Sequence, residues 1–73
     1  MKDKYYLAEL FGRNVNKYRN KKYITTAELA QKTGIKQNYI LRIEKGIATG
    51  VKFTQGLRIA KALNIQIDML FEE

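Results

Sequence analysis

The stretch KQNYILRIEK, Lys36 to Lys45, holds the side chains of this sequence best suited to recognising a polar surface. At about 100° per residue, Ile40 and Ile43 point to one side of a helix. Gln37, Asn38, Leu41, Arg42 and Lys45 spread over the other. That outer face offers two amides, a guanidinium and an ammonium. An Asn or Gln amide pairs in a bidentate way with an adenine edge, and a guanidinium does so with guanine. The same residue types also make an ordinary solvated face, so the surrounding elements must decide between the two. Leu41 is the odd residue there. It either meets a thymine methyl or folds back against the preceding helix or the loop after Gly46, and packing is the expected role.

The elements that would position this face lie between Thr25 and Gly46. Thr25 can cap a helix over about Thr26 to Thr33, and Glu28 three residues later completes a capping box. Leu29, Ala30 and Thr33 share one face of it, and the small Ala30 lets another helix approach closely. Gly34 can take the left-handed conformation that ends a helix. Ile35 re-enters the core, and a helix from about Gln37 to Lys45 follows. Two short helices joined by a tight Gly-containing turn form a helix-turn-helix, whose second helix enters the DNA major groove.

Composition narrows the alternatives. At 73 residues the chain is expected to be one domain, residues 1–73. A domain of this size buries roughly 60% of its unfolded surface, so 45% apolar residues support one core but not a deep ligand pocket as well. The sequence contains no Cys, His or Ser. Zinc sites, disulfides and serine nucleophiles are therefore excluded, no carboxylate pair lies near a candidate nucleophile, and no enzyme activity, metal or cofactor is expected. The formal charge of +7, from 14 Lys+Arg against 7 Asp+Glu, attracts polyanions. It would also merely keep a small domain soluble, so the placement of the charges must carry the argument. No apolar run follows the basic start, and no segment approaches the 18 or so apolar residues of a membrane span. A cytoplasmic protein with no small-molecule ligand is expected.

The remaining chain reads as helices around one core. The first is expected from about Lys4 to about Lys21, with Asp3 as its cap. Leu7, Phe11, Val15 and Tyr18 form its inner stripe with Leu10 beside them, while Arg13, Asn14, Lys17, Asn20 and Lys21 face outward. Tyr5 and Tyr6 are expected to cover the end of the core, and Ile24 to be buried. A fourth helix over about Phe53 to Leu63 turns Phe53, Leu57, Ala60 and Leu63 inward, with Ile59 near them. Gly56 implies either a later start or a close backbone contact, and Asn64 is a plausible left-handed end. A fifth, short helix spans about Ile67 to Glu72 and carries Ile67, Leu70 and Phe71. The fold class expected is a compact all-α five-helix bundle.

The segments Phe11-Gly12, Val15, Tyr18-Arg19, ITTAELAQKTGI, YILRIEKG, LRIAKALNI and DMLF resemble the Cro and phage-repressor helix-turn-helix family, often called XRE, over about Phe11 to Phe71. The resemblance implies a lambda-repressor-like fold with double-stranded DNA as the partner. It assigns base reading to Lys36, Gln37, Asn38 and Arg42. It places Thr26, Lys45, Thr49, Lys52 and the exposed side of Arg19 near phosphates. It also implies that Arg19 pairs with Glu44 to tie the first helix to the third. Four positions depart from the family pattern. Thr26 stands where Gln is frequent, and Lys36 where Ser or Thr is frequent. Val51 replaces a frequent Pro, and Gly56 a large apolar residue. The last two imply a looser loop over 46–52.

The function implied is a sequence-specific transcriptional regulator, repressor-like, binding an inverted repeat as a homodimer with half-sites about 34 Å apart. Ile65, Ile67, Met69, Phe71, Tyr5 and Tyr6 are the candidate interface residues, although most are more simply core. A phage or mobile-element repressor, an antitoxin-type autoregulator and a restriction–modification controller protein all fit; controllers are similarly short and often carry Tyr-Ile, as at Tyr39-Ile40. The rivals are a protein-interaction adaptor on the same fold and a non-specific nucleic-acid binder.

Overall fold

The computed structural model describes residues 3–73. It contains helices α1 (Lys4–Lys21), α2 (Thr26–Thr33), α3 (Gln37–Glu44) and α4 (Phe53–Ala62), followed by a 3-10 helix, Ile67–Phe71. The expected five-helix bundle is therefore four α-helices and one 3-10 turn. Five residues are too few to offset the nucleation cost of an α-helix, and short pieces commonly close as 3-10. None of the helices is long and apolar enough to cross a membrane.

Local sequence explains where each helix begins and ends. The Asp3 carboxylate accepts from the Tyr6 amide at 2.9 Å and caps α1. At the start of α2, Glu28 N donates to Thr25 Oγ1 at 3.0 Å and Thr25 N donates to Glu28 Oε1 at 2.8 Å, a complete capping box. Those bonds to Thr25 hold the Glu28 carboxyl below its ordinary pKa. Gly34 ends α2 at φ 75°, and Asn64 is left-handed after α4 at φ 56°.

Leu29, Ile40, Ile43, Ile59, Leu63, Leu70 and Val15 form the fully buried centre. The helix α1 packs on α3 and on the 3-10 helix, while α2 packs on α3 and α4. Gly12 lets α1 and α3 meet: a Cβ there would collide with the Ile43 carbonyl oxygen.

Several inner-face expectations need correction. Asn14 is 4% exposed rather than outward. It lies three residues after Phe11 and four before Tyr18, on the inner arc. Its amide nitrogen is satisfied by Leu70 O at 3.0 Å and Glu72 O at 2.9 Å. Tyr18 Oη donates to Glu72 Oε1 at 2.6 Å, and that bond, with burial and the carboxylate charge, raises the phenol's pKa. On α4 the inward residues are Gly56, Ile59 and Ala60, with Leu63 buried at its C-cap. Phe53 is 69% exposed and Leu57 is also exposed. The helix does not start late, and Gly56 meets side chains rather than backbone, with Ile67 Cδ1 3.4 Å and Phe11 Cε1 3.7 Å from an ideal Cβ. Leu7 and Tyr5 are exposed as well. Lys4 Nζ lies 5.4 Å from the Tyr5 ring centroid, so Tyr5 does not cover the core, while Tyr6 is half-buried.

Candidate nucleic-acid interface

The turn between α2 and α3 is fixed by side-chain bonds as well as by Gly34. Thr33 Oγ1 donates to Leu29 O at 2.7 Å and accepts from Ile35 N at 3.2 Å. Ile35 is buried, which fixes the rotation of α3. Ile40 and Ile43 then face the core, and Lys36, Gln37, Asn38, Leu41, Arg42 and Lys45 are exposed. Leu41, at 39% exposure, does not fold back to pack as expected; it stays among the polar residues. The cap position of α3 is Lys36, whose side chain makes no capping bond.

Two contacts hold this face in place. Gln37 Nε2 donates to Thr26 Oγ1 at 3.0 Å, joining the starts of α2 and α3. The bond orients the Gln37 amide and leaves the Thr26 hydroxyl hydrogen available to an acceptor. At the other end of α3, Arg19 Nε donates to Glu44 Oε2 at 2.6 Å and Arg19 Nη2 to Glu44 Oε1 at 2.9 Å. Arg19 Nη1 also donates to Ile24 O at 2.8 Å. The two side chains are only 13% and 8% exposed, and the bonds to Glu44 raise the guanidinium pKa further. Asn16 Nδ2 adds a bond to Glu44 Oε1 at 2.8 Å. Sequence reading missed Asn16; its place one turn before Asn20 on an exposed face gave no signal. With all three of its nitrogens bonded inside the protein, Arg19 is a tether between α1, the turn at Ile24 and α3.

The loop from Gly46 to Lys52 closes the face. Gly46 is left-handed at φ 78° and Ile47 N bonds back to Arg42 O at 3.2 Å. Ala48 is buried and Val51 half-buried, so the loop is pinned at two points without Pro. Lys52 N donates to Gln55 Oε1 at 2.9 Å at the start of α4. Thr49 and Lys52 are exposed beside this cap. Among the described residues, no ion pair involves Lys36, Arg42, Lys45 or Lys52. The result is a cationic and amide-bearing surface made by the start of α2, the outside of α3 and the following loop.

A helix-turn-helix family model matches residues 15–70. The chain belongs to this Cro/repressor-like helix-turn-helix family. This helix-turn-helix protein is 25% identical over 64 residues to the HTH-type transcriptional regulator SinR of Bacillus subtilis (strain 168). That alignment covers 88% of the chain and 58% of SinR, so the chain spans a little over half the length of this relative. Its structure is similar to the crystal structure of the restriction-modification controller protein C.AhdI from Aeromonas hydrophila. The TM-score is 0.83 at 28% identity, over 88% of this chain and 96% of that one.

Proposed function

We propose that the protein is a sequence-specific DNA-binding transcriptional regulator that acts as a homodimer on an inverted repeat. The observation that carries this reading is the outer face of α3. Its unpaired Lys36, Asn38 and Arg42 and the oriented Gln37 amide stand on a helix anchored at both ends. Anchoring matters because base discrimination needs side chains already in place when the groove is met. Gln37, Asn38, Arg42 and Lys36 read base edges, and Leu41 is placed to touch a thymine methyl. The Thr26 hydroxyl, Lys45, Thr49 and Lys52 hold phosphates, releasing counterions and making affinity fall with salt.

The dimer face is the apolar groove of about 220 Å³ between α1, the 46–52 loop, α4 and the 3-10 helix. Leu7, Phe53 and Phe71 are exposed along it, and Leu57 is exposed one turn beyond Phe53. Of the residues first considered for an interface, Phe71 and Tyr5 are exposed, whereas Ile65, Ile67 and Met69 pack against the core. Contiguous exposed apolar groups of this kind mark association sites. The likeness to C.AhdI over nearly all of that chain favours a controller-type role over the other regulators considered.

Selection from a random duplex library at about 150 mM salt tests the reading. Enrichment of an inverted repeat is the expected result. Retention without enrichment would leave a non-specific binder, and no retention by the folded protein would leave an interaction adaptor.

A further inference from the structure

Tyr23 is 94% exposed, the most exposed large aromatic or apolar side chain among the described residues. Its backbone is left-handed, at φ 57°. The conformation belongs to the way α1 ends: Tyr23 N bonds to Asn20 O at 3.1 Å and Ile24 N to Arg19 O at 3.2 Å. This nested pair of bonds normally places Gly at the left-handed position. A tyrosine there strains the backbone, and at this exposure no packing within the protein offsets it. The turn itself needs only the backbone, so the Tyr23 side chain is not used by the fold.

Its neighbours indicate a use for it. Thr26, three residues on, takes the Gln37 amide hydrogen at the start of the base-reading helix. Ile24, the next residue, is bonded through Arg19 to Glu44 of α3, so the turn and α3 are fixed relative to one another. Lys21 and Lys22 precede Tyr23 and both are exposed. Lys21 Nζ lies over the Tyr18 ring, 5.5 Å from its centroid, which leaves Lys22 as the cation beside Tyr23.

We propose that Tyr23 and Lys22 grip the DNA backbone beyond the bases contacted by α3, the phenol donating to a phosphate oxygen and the ammonium neutralising it. The proposal rests on the DNA-binding reading above. It requires one residue to act in opposite directions on folding and on binding.

The test is Tyr23→Gly, with Tyr23→Phe and Lys22→Ala beside it. Melting temperature is measured for each, and affinity for a fixed duplex is measured over a range of salt concentrations. Tyr23→Gly should melt higher by roughly 4–8 °C, since the strained residue is replaced by the one the turn prefers. It should bind DNA roughly three- to tenfold more weakly, with the same salt slope, because the lost group is neutral. Tyr23→Phe should share the binding loss, which identifies the hydroxyl as the contact. Lys22→Ala should instead lower the salt slope by about one ion. If Tyr23→Gly binds as tightly as the wild type, the contact is refuted while the DNA reading stands. If it melts lower, the strain argument fails. A wild-type chain that binds no duplex at all overturns both.

Discussion

Asn38, Arg42 and Lys52 are all exposed polar residues, yet the proposed function gives them different work. Asn38 and Arg42 stand on the outer face of α3, which the proposed function sets against base edges, and a bidentate pair is worth roughly 1–3 kcal/mol of discrimination. Asn38→Ala or Arg42→Ala should therefore flatten sequence preference. Lys52 lies before α4, and Lys52→Ala should weaken every duplex alike. Parallel selections with the variants measure this, and an Arg42→Ala profile as sharp as the wild type would remove Arg42 from base reading. Glu44 belongs to a different class. It is nearly buried and takes bonds from Arg19 and Asn16. Glu44→Ala leaves the guanidinium without its counter-charge and should cost about 3 kcal/mol or more, read as a fall in melting temperature; Arg19→Lys should fall too, because one ammonium cannot replace the fork that serves Glu44 and Ile24 together.

The helix α2 is only eight residues long, so its ends carry much of its stability. Thr25→Ala should cost about 1 kcal/mol, or roughly 4–8 °C in melting temperature for a domain of this size. The box also has a predictable pH dependence. Glu28 has a lowered pKa in the fold, so its ionised form is favoured by folding. Its contribution is fully present above the ordinary value of 4.5 and is lost as pH falls through the lower folded value. Glu28→Gln should remove that part of the acid sensitivity while keeping an acceptor for the Thr25 amide. Such features were legible in sequence because they are local: Thr25, Glu28 and Gly34 act within one turn of themselves. The inner stripe of α4 was legible only in part: Ile59, Ala60 and Leu63 face inward as expected, but the large Phe53 and Leu57 do not. The fold instead turns Gly56 to the core, where the Phe11 ring and Ile67 supply the bulk. Asn14 was misplaced for the complementary reason. Its polarity argued for solvent, but the carbonyls that satisfy it come from Leu70 and Glu72, near the other end of the chain. The outward face of α3 was legible because Ile40 and Ile43 fix its rotation, whereas Asn16 and Tyr23 acquire meaning only from where Glu44, the turn and Thr26 sit.

At the scale of the whole molecule, charge and apolar surface pull in opposite directions. Each chain carries a formal +7, so two copies repel one another until salt or DNA screens them. The exposed parts of Leu7, Phe53, Leu57 and Phe71 favour association, each by on the order of 1 kcal/mol per copy when covered. Salt should therefore strengthen the free dimer while it weakens DNA binding. Sedimentation of the protein alone, set beside binding isotherms over the same salt range, measures the two trends. Phe53→Glu separates them further. Phe53 is exposed in the single chain, so the variant should fold with an almost unchanged melting temperature. It should sediment as a monomer and bind an inverted repeat no more tightly than a single half-site. The outer face of α3 is untouched by this change, so the preferred half-site sequence should stay the same. A Phe53→Glu protein that still bound the full repeat with dimer-like affinity would place the interface elsewhere on the molecule, and the groove between α1, α4 and the 3-10 helix would lose its role.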